Sequence, residues 1–414
     1  MYGYRACKAA YTPQRGRVKV LGILKGYFPQ KYPLKPPGRQ RQEAEGGNRM
    51  AERKISAAQF FISMFVSRVV VTIALNAQYT GGENMLDSMV SYVLAMALGF
   101  IIALPVWGLH RRRPGLDISR AAVLDMGFAG KAVPLLYFAY FVVINGASLA
   151  LFQLFLMDTI NPAFSAALVT AVLAGAALYG ALKGIETIAR CATCVFVVLL
   201  LGCGLVFGIV AWRFSPENLE PLFYNGFSQT YTGVLLFIAR TSIFADMAML
   251  LPMVKGKKGL GFACWAGGTA VFVCLLLFLV VGCLGRYAYT QNFPVYALAS
   301  ITQVRSMQRL DAVFTGVWMM GLVVKLAFDM YCCRLCAAAL QKEPGEAKSG
   351  AWLSAALMLG LALWAAMSPL AQRFLLDTRI LFLCTAAAGF AIPLLVLAAD
   401  LLSRRGEKQT KKAP

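Results

Sequence analysis

The stretch YTGVLLFIARTSIFADMAMLLPM, Tyr231–Met253, is long enough to cross a bilayer and apolar at both ends. Its middle carries Arg240, Thr241, Ser242 and Asp246. An ionisable residue near the bilayer centre costs roughly 2.5–3.5 kcal/mol on translocon scales. A span holding both Arg240 and Asp246 must therefore turn them toward protein or water, away from lipid. Two readings follow. One is a ligand or ion site inside a helical bundle; the other is an internal ion pair that only holds helices together.

The chain around this stretch sets its class. Of 414 residues, 59% are hydrophobic and 14% charged, whereas a soluble domain carries about 25% charged residues. The composition points to an all-α integral membrane protein. Ten transmembrane spans are expected, at about 57–76, 88–109, 131–156, 163–182, 190–212, 230–253, 259–284, 311–337, 351–368 and 379–402. The net charge of +21 is no nucleic-acid signature, because the cations fall in the N-terminal segment, in alternate short loops and at the C-terminus. Loops on one side hold Arg111, Arg112, Arg113, Arg120, Lys183, Arg190, Lys255, Lys257 and Lys258. That bias predicts that both termini are cytoplasmic. On the opposite side lie two longer loops, Phe214–Phe227 and Arg286–Leu310; in the second, Val295–Met307 has the spacing of a short surface helix.

The ends divide the chain further. Residues 1–49 are basic and rich in Pro and Gly, and they lack the apolar core of a signal peptide. Met50-Ala-Glu-Arg-Lys-Ile-Ser reads as an ordinary start, so 1–49 is expected to be a disordered extension from a misplaced start codon or else a basic arm touching anionic lipid. Residues 50–403 form the membrane domain, and 404–414 a basic cytoplasmic tail. All 11 cysteines except Cys7 lie in or beside spans. The CxxC pairs Cys191/Cys194 and Cys333/Cys336 therefore read as small apolar residues. With His110 the only histidine and no GxxxxGK[ST], GxSxG or HExxH present, no metal, cofactor or enzymatic chemistry is expected.

The polar interruptions are positional. Ser67-Arg68 falls near the centre of the first span and Arg240–Asp246 in the sixth. These open two five-helix halves. Paired interrupted helices are the sequence sign of a transporter site built on inverted repeats. Breaking a helix at membrane depth frees backbone groups, and the two half-helix ends then face a cavity.

Several short motifs, in order and spacing, carry a resemblance. They are Lys54-Ile-Ser-Ala-Ala-Gln59, Gly184-Ile-Glu-Thr-Ile-Ala-Arg190, Glu217-Asn-Leu-Glu-Pro221, Phe244-Ala-Asp246, and Arg309-Leu-Asp-Ala-Val-Phe314 followed by Trp318. Along residues 50–340 the chain resembles the B subunits of spore germinant receptors, amino-acid-permease-like proteins of the amino acid–polyamine–organocation superfamily. The resemblance implies a LeuT-type fold with a 5+5 inverted repeat, helices 1 and 6 interrupted, and residence in the spore inner membrane. It also implies A and C partner subunits and a small nutrient, such as an amino acid, bound between spans one, three, six and eight. Two departures stand out. Ser67-Arg68-Val69 replaces the glycines that many relatives carry at the first break, and Asp246 replaces a glutamate.

Each candidate has two readings. Arg68 pairs a ligand carboxylate or Asp246, or it is purely structural; Ser67 and Thr72 bond a ligand or their own helix. Thr241 and Ser242 sit where the sixth span should break, with Asp246 one turn on, suited to a ligand ammonium, a proton or a gating pair. Lys325 has Asp329 four residues on, which makes a self-neutralised pair or an ammonium replacing a sodium ion. Asn145, on one face with Phe141 and Ser148, touches ligand or bonds between helices. Three buried cations (Arg68, Arg240, Lys325) against two carboxylates (Asp246, Asp329) hint at an anionic group on the ligand. The leading expectation is a nutrient-sensing receptor subunit. The alternatives are a sodium-independent amino-acid permease and a membrane scaffold with a vestigial cavity.

Overall fold

Helices α1 (Ala57–Ile73), α2 (Asp87–Arg112), α3 (Ile118–Met126), α4 (Ala132–Phe155), α5 (Ala166–Lys183) and α6 (Ile185–Val210) make up the first part of the chain. There follow α7 (Ser228–Ala239), α8 (Ile243–Leu250), α9 (Lys258–Leu284), α10 (Tyr287–Thr290), α11 (Pro294–Ser300) and α12 (Leu310–Leu340). Last come α13 (Lys348–Met367), α14 (Pro369–Leu376), α15 (Thr378–Ala386) and α16 (Ile392–Thr410). This computed structural model describes residues 54–73, 86–160, 165–219, 223, 227–301, 310–341 and 347–410. The expected extension 1–49 lies outside the described residues, as do 302–309 and 411–414. Among the described residues, length and composition alone select 7 segments able to cross a membrane, against the ten expected. Two further helices, α1 and α5, are apolar but shorter.

Such helices are apolar on all sides, so burial sorts them by position rather than by face. The α7–α8 segment is 89% buried over its most apolar window, whereas the segment containing α6 is only 17% buried. The first is therefore central and the second faces lipid, with Val197, Leu201 and Leu205 exposed along it. Helix α12 packs against α1, α4, α5, α6 and α13, which makes it the hub of the bundle.

The sixth span is broken where expected. Helix α7 ends at Ala239 and α8 begins at Ile243, with Arg240 at φ −101°, ψ 20° and Ser242 at φ −92°, ψ −6° between them. The break expected at Ser67-Arg68 is absent, and α1 runs through both residues to Ile73. No glycine or proline interrupts α1, and Thr72 Oγ1 and Ser63 Oγ each bond the carbonyl one turn back, at Arg68 and Gln59. The polar residues are absorbed into the helix instead of opening it.

The motifs of the sequence are local architecture. Ile55–Ser56 (β1) pairs in parallel with Val254–Lys255 (β2), tying the start of α1 to the end of the broken segment. Ser56 and Gln59 form a reciprocal capping box: Gln59 N donates to Ser56 Oγ and Ser56 N to Gln59 Oε1. Gly184, at φ +105°, links α5 to α6, and Glu186 pairs with Arg190 on the exposed face. Asn218 Nδ2 donates to the Gly282 carbonyl at 2.9 Å, docking the 214–219 loop on α9. The expected surface helix is α11, but its Val295, Ala297, Leu298 and Ala299 are buried, so it packs into the bundle. The last helix continues past 402 into the expected tail, to Thr410.

Proline also leaves a mark. Residues Ala387–Ala391 form a π turn in which Ile392 N donates to the Ala387 carbonyl. Pro393 has no amide to reach Ala388. The Tyr137 hydroxyl donates to that carbonyl instead.

Candidate functional site

The break between α7 and α8 leaves carbonyls that no helical amide can reach. Three side chains and one amide take them up. Arg68 Nη1 donates to the Phe237 carbonyl at 2.7 Å, and Thr385 Oγ1 donates to Ala239 at 3.0 Å. Tyr140 Oη donates to Thr241 at 3.1 Å, and Thr241 N to Ile238 at 3.3 Å. Tyr92 Oη accepts from Arg68 Nε at 3.1 Å, which fixes the guanidinium over the Tyr92 and Phe237 rings. The break is thus held open by α1, α2, α4 and α15.

Beside the break lies a narrow chamber lined by Met64, Ser67, Arg68, Arg240, Thr241, Ser242, Ile243, Asp246 and Lys325. Of the residues singled out from sequence, Ser67, Arg68, Arg240, Thr241, Ser242, Asp246 and Lys325 meet here. Asn145 stands behind Lys325: its Oδ1 accepts from Lys325 Nζ at 2.6 Å and its Nδ2 donates to the Phe141 carbonyl. Lys325 Nζ also donates to Asp329 Oδ2 at 3.0 Å, so the i,i+4 pair forms. Asp246 accepts from the Cys332 thiol at 3.7 Å and lies close to Ser242, Lys325 and Asp329. Arg68 Nη2 is buried with no partner among the described residues. Arg68, Asp246 and Lys325 are each at most 3% exposed. Such charges persist in an apolar bundle only where opposite charges and hydrogen bonds surround them.

A second cavity is lined by apolar side chains of α1, α4, α12, α14 and α15 together with Ser148 and Arg240. Arg240 borders both spaces. Trp318 closes part of the second cavity and donates from Nε1 to the Val70 carbonyl at 3.0 Å, near the end of α1. Tyr92, Tyr140 and Thr385 shape the break yet carry no sign in the sequence beyond being polar groups in spans. Arg334, a further buried cation, donates to the Ala181 and Leu182 carbonyls at the end of α5 and does not line the chamber.

In fold, the chain is similar to the structure of Mhp1, a nucleobase-cation-symport-1 family transporter in a closed conformation with bromovinylhydantoin bound. That likeness has a TM-score of 0.57 and 14% identity, covering 86% of this chain and 94% of that one. In sequence it is 24% identical over 307 residues to spore germination protein KB of Bacillus subtilis (strain 168), covering 71% of this chain and 80% of the relative. It is 25% identical over 252 residues to a second protein of that organism, YfkT, covering 56% of this chain and 66% of the relative. The model of the family described as "Spore germination protein" matches residues 54–367. Those residues take in the β1–β2 tie, the broken segment and every residue lining the chamber, and the chain is an integral membrane protein of the spore germination protein family, related to the B-type subunits of germinant receptors.

Proposed function

We propose that the chain is the nutrient-sensing subunit of a spore germinant receptor, and that a small molecule such as an amino acid binds at the break between α7 and α8. The observation that carries this reading is the convergence of Ser67, Arg68, Thr241, Ser242, Asp246 and Lys325 on one buried chamber. The chamber opens where α8 begins, at the positive end of a half-helix dipole. A ligand carboxylate meets that end together with Arg68, and a ligand ammonium meets Asp246. Three cations line the chamber against one carboxylate, with Asp329 just behind, which favours a ligand bearing an anionic group. Lys325, bonded to Asn145 and Asp329, would stand in for a coupling cation beside the chamber, which favours sodium independence.

In this reading α1, α5 and α12 cross the membrane with the seven clear spans. They make ten helices in a LeuT-type 5+5 arrangement with both termini cytoplasmic, in the spore inner membrane. Binding shifts an equilibrium that A and C subunits read out. The transporter likeness of the fold supports a second reading, a permease that uses the same chamber for alternating access.

The test is a thermal-unfolding screen of the purified full chain in lipid nanodiscs against a panel of L-amino acids. A binding amino acid at 100 times its Kd stabilises by about 2.7 kcal/mol. That stabilisation is expected to vanish in Asp246→Asn and to weaken in Ser242→Ala. Binding that survives both substitutions places the ligand elsewhere. Uptake of a radiolabelled binder by proteoliposomes, with and without sodium, separates the permease from the sensor.

A further inference from the structure

A groove of about 500 Å³ opens on the outer surface of the bundle between α1, α6 and α9. Its walls are Phe61, Ile62, Phe65, Phe196, Leu260 and Trp265, and small residues such as Ala58, Gly261 and Gly268 give it depth. Lys257 lies on its rim. The parallel β1–β2 pairing, with Ile55 beside Val254 and Ser56 beside Lys255, brings the segment that starts at Lys54 alongside the one that holds Lys255 and leads to Lys257, and all three lysines are exposed. Trp265, 4% exposed, keeps its indole N–H without an acceptor among the described residues. An apolar trough with a basic mouth at the end of membrane helices matches one chemistry: an acyl chain joined to an anionic headgroup.

We propose that this groove is a binding site for an anionic phospholipid, its acyl chain along Phe61, Phe65 and Phe196 and its phosphate at Lys54, Lys255 and Lys257. The hydrocarbon walls accept any acyl chain, so the lysines supply the selectivity. Helix α1 is shared between two sites, since Phe61 and Phe65 line the groove while Met64, Ser67 and Arg68 line the chamber. A lipid seated in the groove therefore braces the helix that holds the α7–α8 break open.

The full chain is reconstituted in nanodiscs with equal amounts of phosphatidylglycerol and phosphatidylcholine, released into detergent, and the lipids it retains are identified by native mass spectrometry. The wild-type chain is expected to keep phosphatidylglycerol roughly five- to tenfold over phosphatidylcholine. The triple variant Lys54→Gln, Lys255→Gln, Lys257→Gln changes only exposed side chains and should bind both lipids equally. Cys264→Trp, which fills the groove from its exposed α9 wall, should lower retention of both. Equal retention by the wild-type chain overturns the proposal. So does a preference that survives the triple variant, or retention unchanged by Cys264→Trp.

Discussion

The Arg68 guanidinium meets the Phe237 carbonyl at 2.7 Å because the chain past Ala239 no longer supplies an amide there. Tyr92→Phe removes only the bond to Nε and keeps the ring beneath the cation, so it should destabilise by roughly 0.5–1.5 kcal/mol. Arg68→Met strands a buried carbonyl as well, and should cost about 1–3 kcal/mol beyond Tyr92→Phe. Denaturant titration in detergent micelles measures both; equal losses would mean that the carbonyl finds another donor. Lys325→Met leaves the Asp329 carboxylate buried without its cation, a loss of roughly 3–5 kcal/mol. If the pair serves only stability, Asp329→Leu in the same chain should recover most of that loss. The positions of these residues were legible in sequence, because a charge inside a span is conspicuous. Their partners were not. Tyr92 is an ordinary aromatic residue by composition, and the Phe237 carbonyl becomes an acceptor only once the backbone breaks three residues later.

At the scale of elements, the sequence marked seven of the ten expected spans and the break at Arg240–Ser242, since apolar length and polar interruption are local signals. It misjudged α1, where Ser67 and Arg68 suggested an opening but no glycine or proline interrupts the helix and its polar groups bond the preceding turn. The short α3 went unforeseen, being neither long nor uniformly apolar. Asp117 caps it, accepting from Arg120 N at 3.0 Å. Burial pushes the Asp117 carboxyl above the usual carboxylate range, with the Arg120 guanidinium pulling the other way. The folded chain therefore holds this proton more tightly than the unfolded chain. Its contribution is greatest below the unfolded value of about 3.9 and is lost as pH rises through the higher folded value. Asp117→Asn keeps an acceptor for the cap, so its stability should fall less than that of the wild type between acid and neutral pH. Thermal unfolding across that range checks the slope. Gly184 offers a second test at this scale. Its φ of +105° suits glycine alone, so Gly184→Ala should cost roughly 1–3 kcal/mol. Gly175, within α5 and with open space around it, should tolerate alanine or gain about 0.5–1 kcal/mol.

At the scale of the molecule, what holds the ends of distant helices together was beyond reach of the sequence. The run Arg111–Arg113 reads there as a topological charge cluster, and it is one in position. In the folded chain two of its members also act as a clasp. Arg113 Nε lies 2.8 Å from Asp400 Oδ1, its Nη2 pairs with Asp125, and Arg112 Nη1 lies 3.3 Å from Asp400 Oδ2. The clasp joins the end of α2 to α3 and to α16, across 287 residues of chain. Its two sides are unequal. The Asp400 side chain is fully buried, whereas those of Arg112 and Arg113 are 39% and 26% exposed. Water can therefore solvate the arginines if the carboxylate is lost but cannot reach the carboxylate if the arginines are lost. Removing both cations, Arg112→Gln with Arg113→Gln, takes two charged partners from a buried carboxylate and should cost the more, up to about 3–5 kcal/mol. Asp400→Asn, which keeps a polar group in place, should cost only about 1–3 kcal/mol. The triple variant should resemble Asp400→Asn rather than the sum, a coupling of roughly 0.5–3 kcal/mol. A double-mutant cycle read by denaturant titration measures it, and strictly additive losses would show that the three side chains do not act as one clasp.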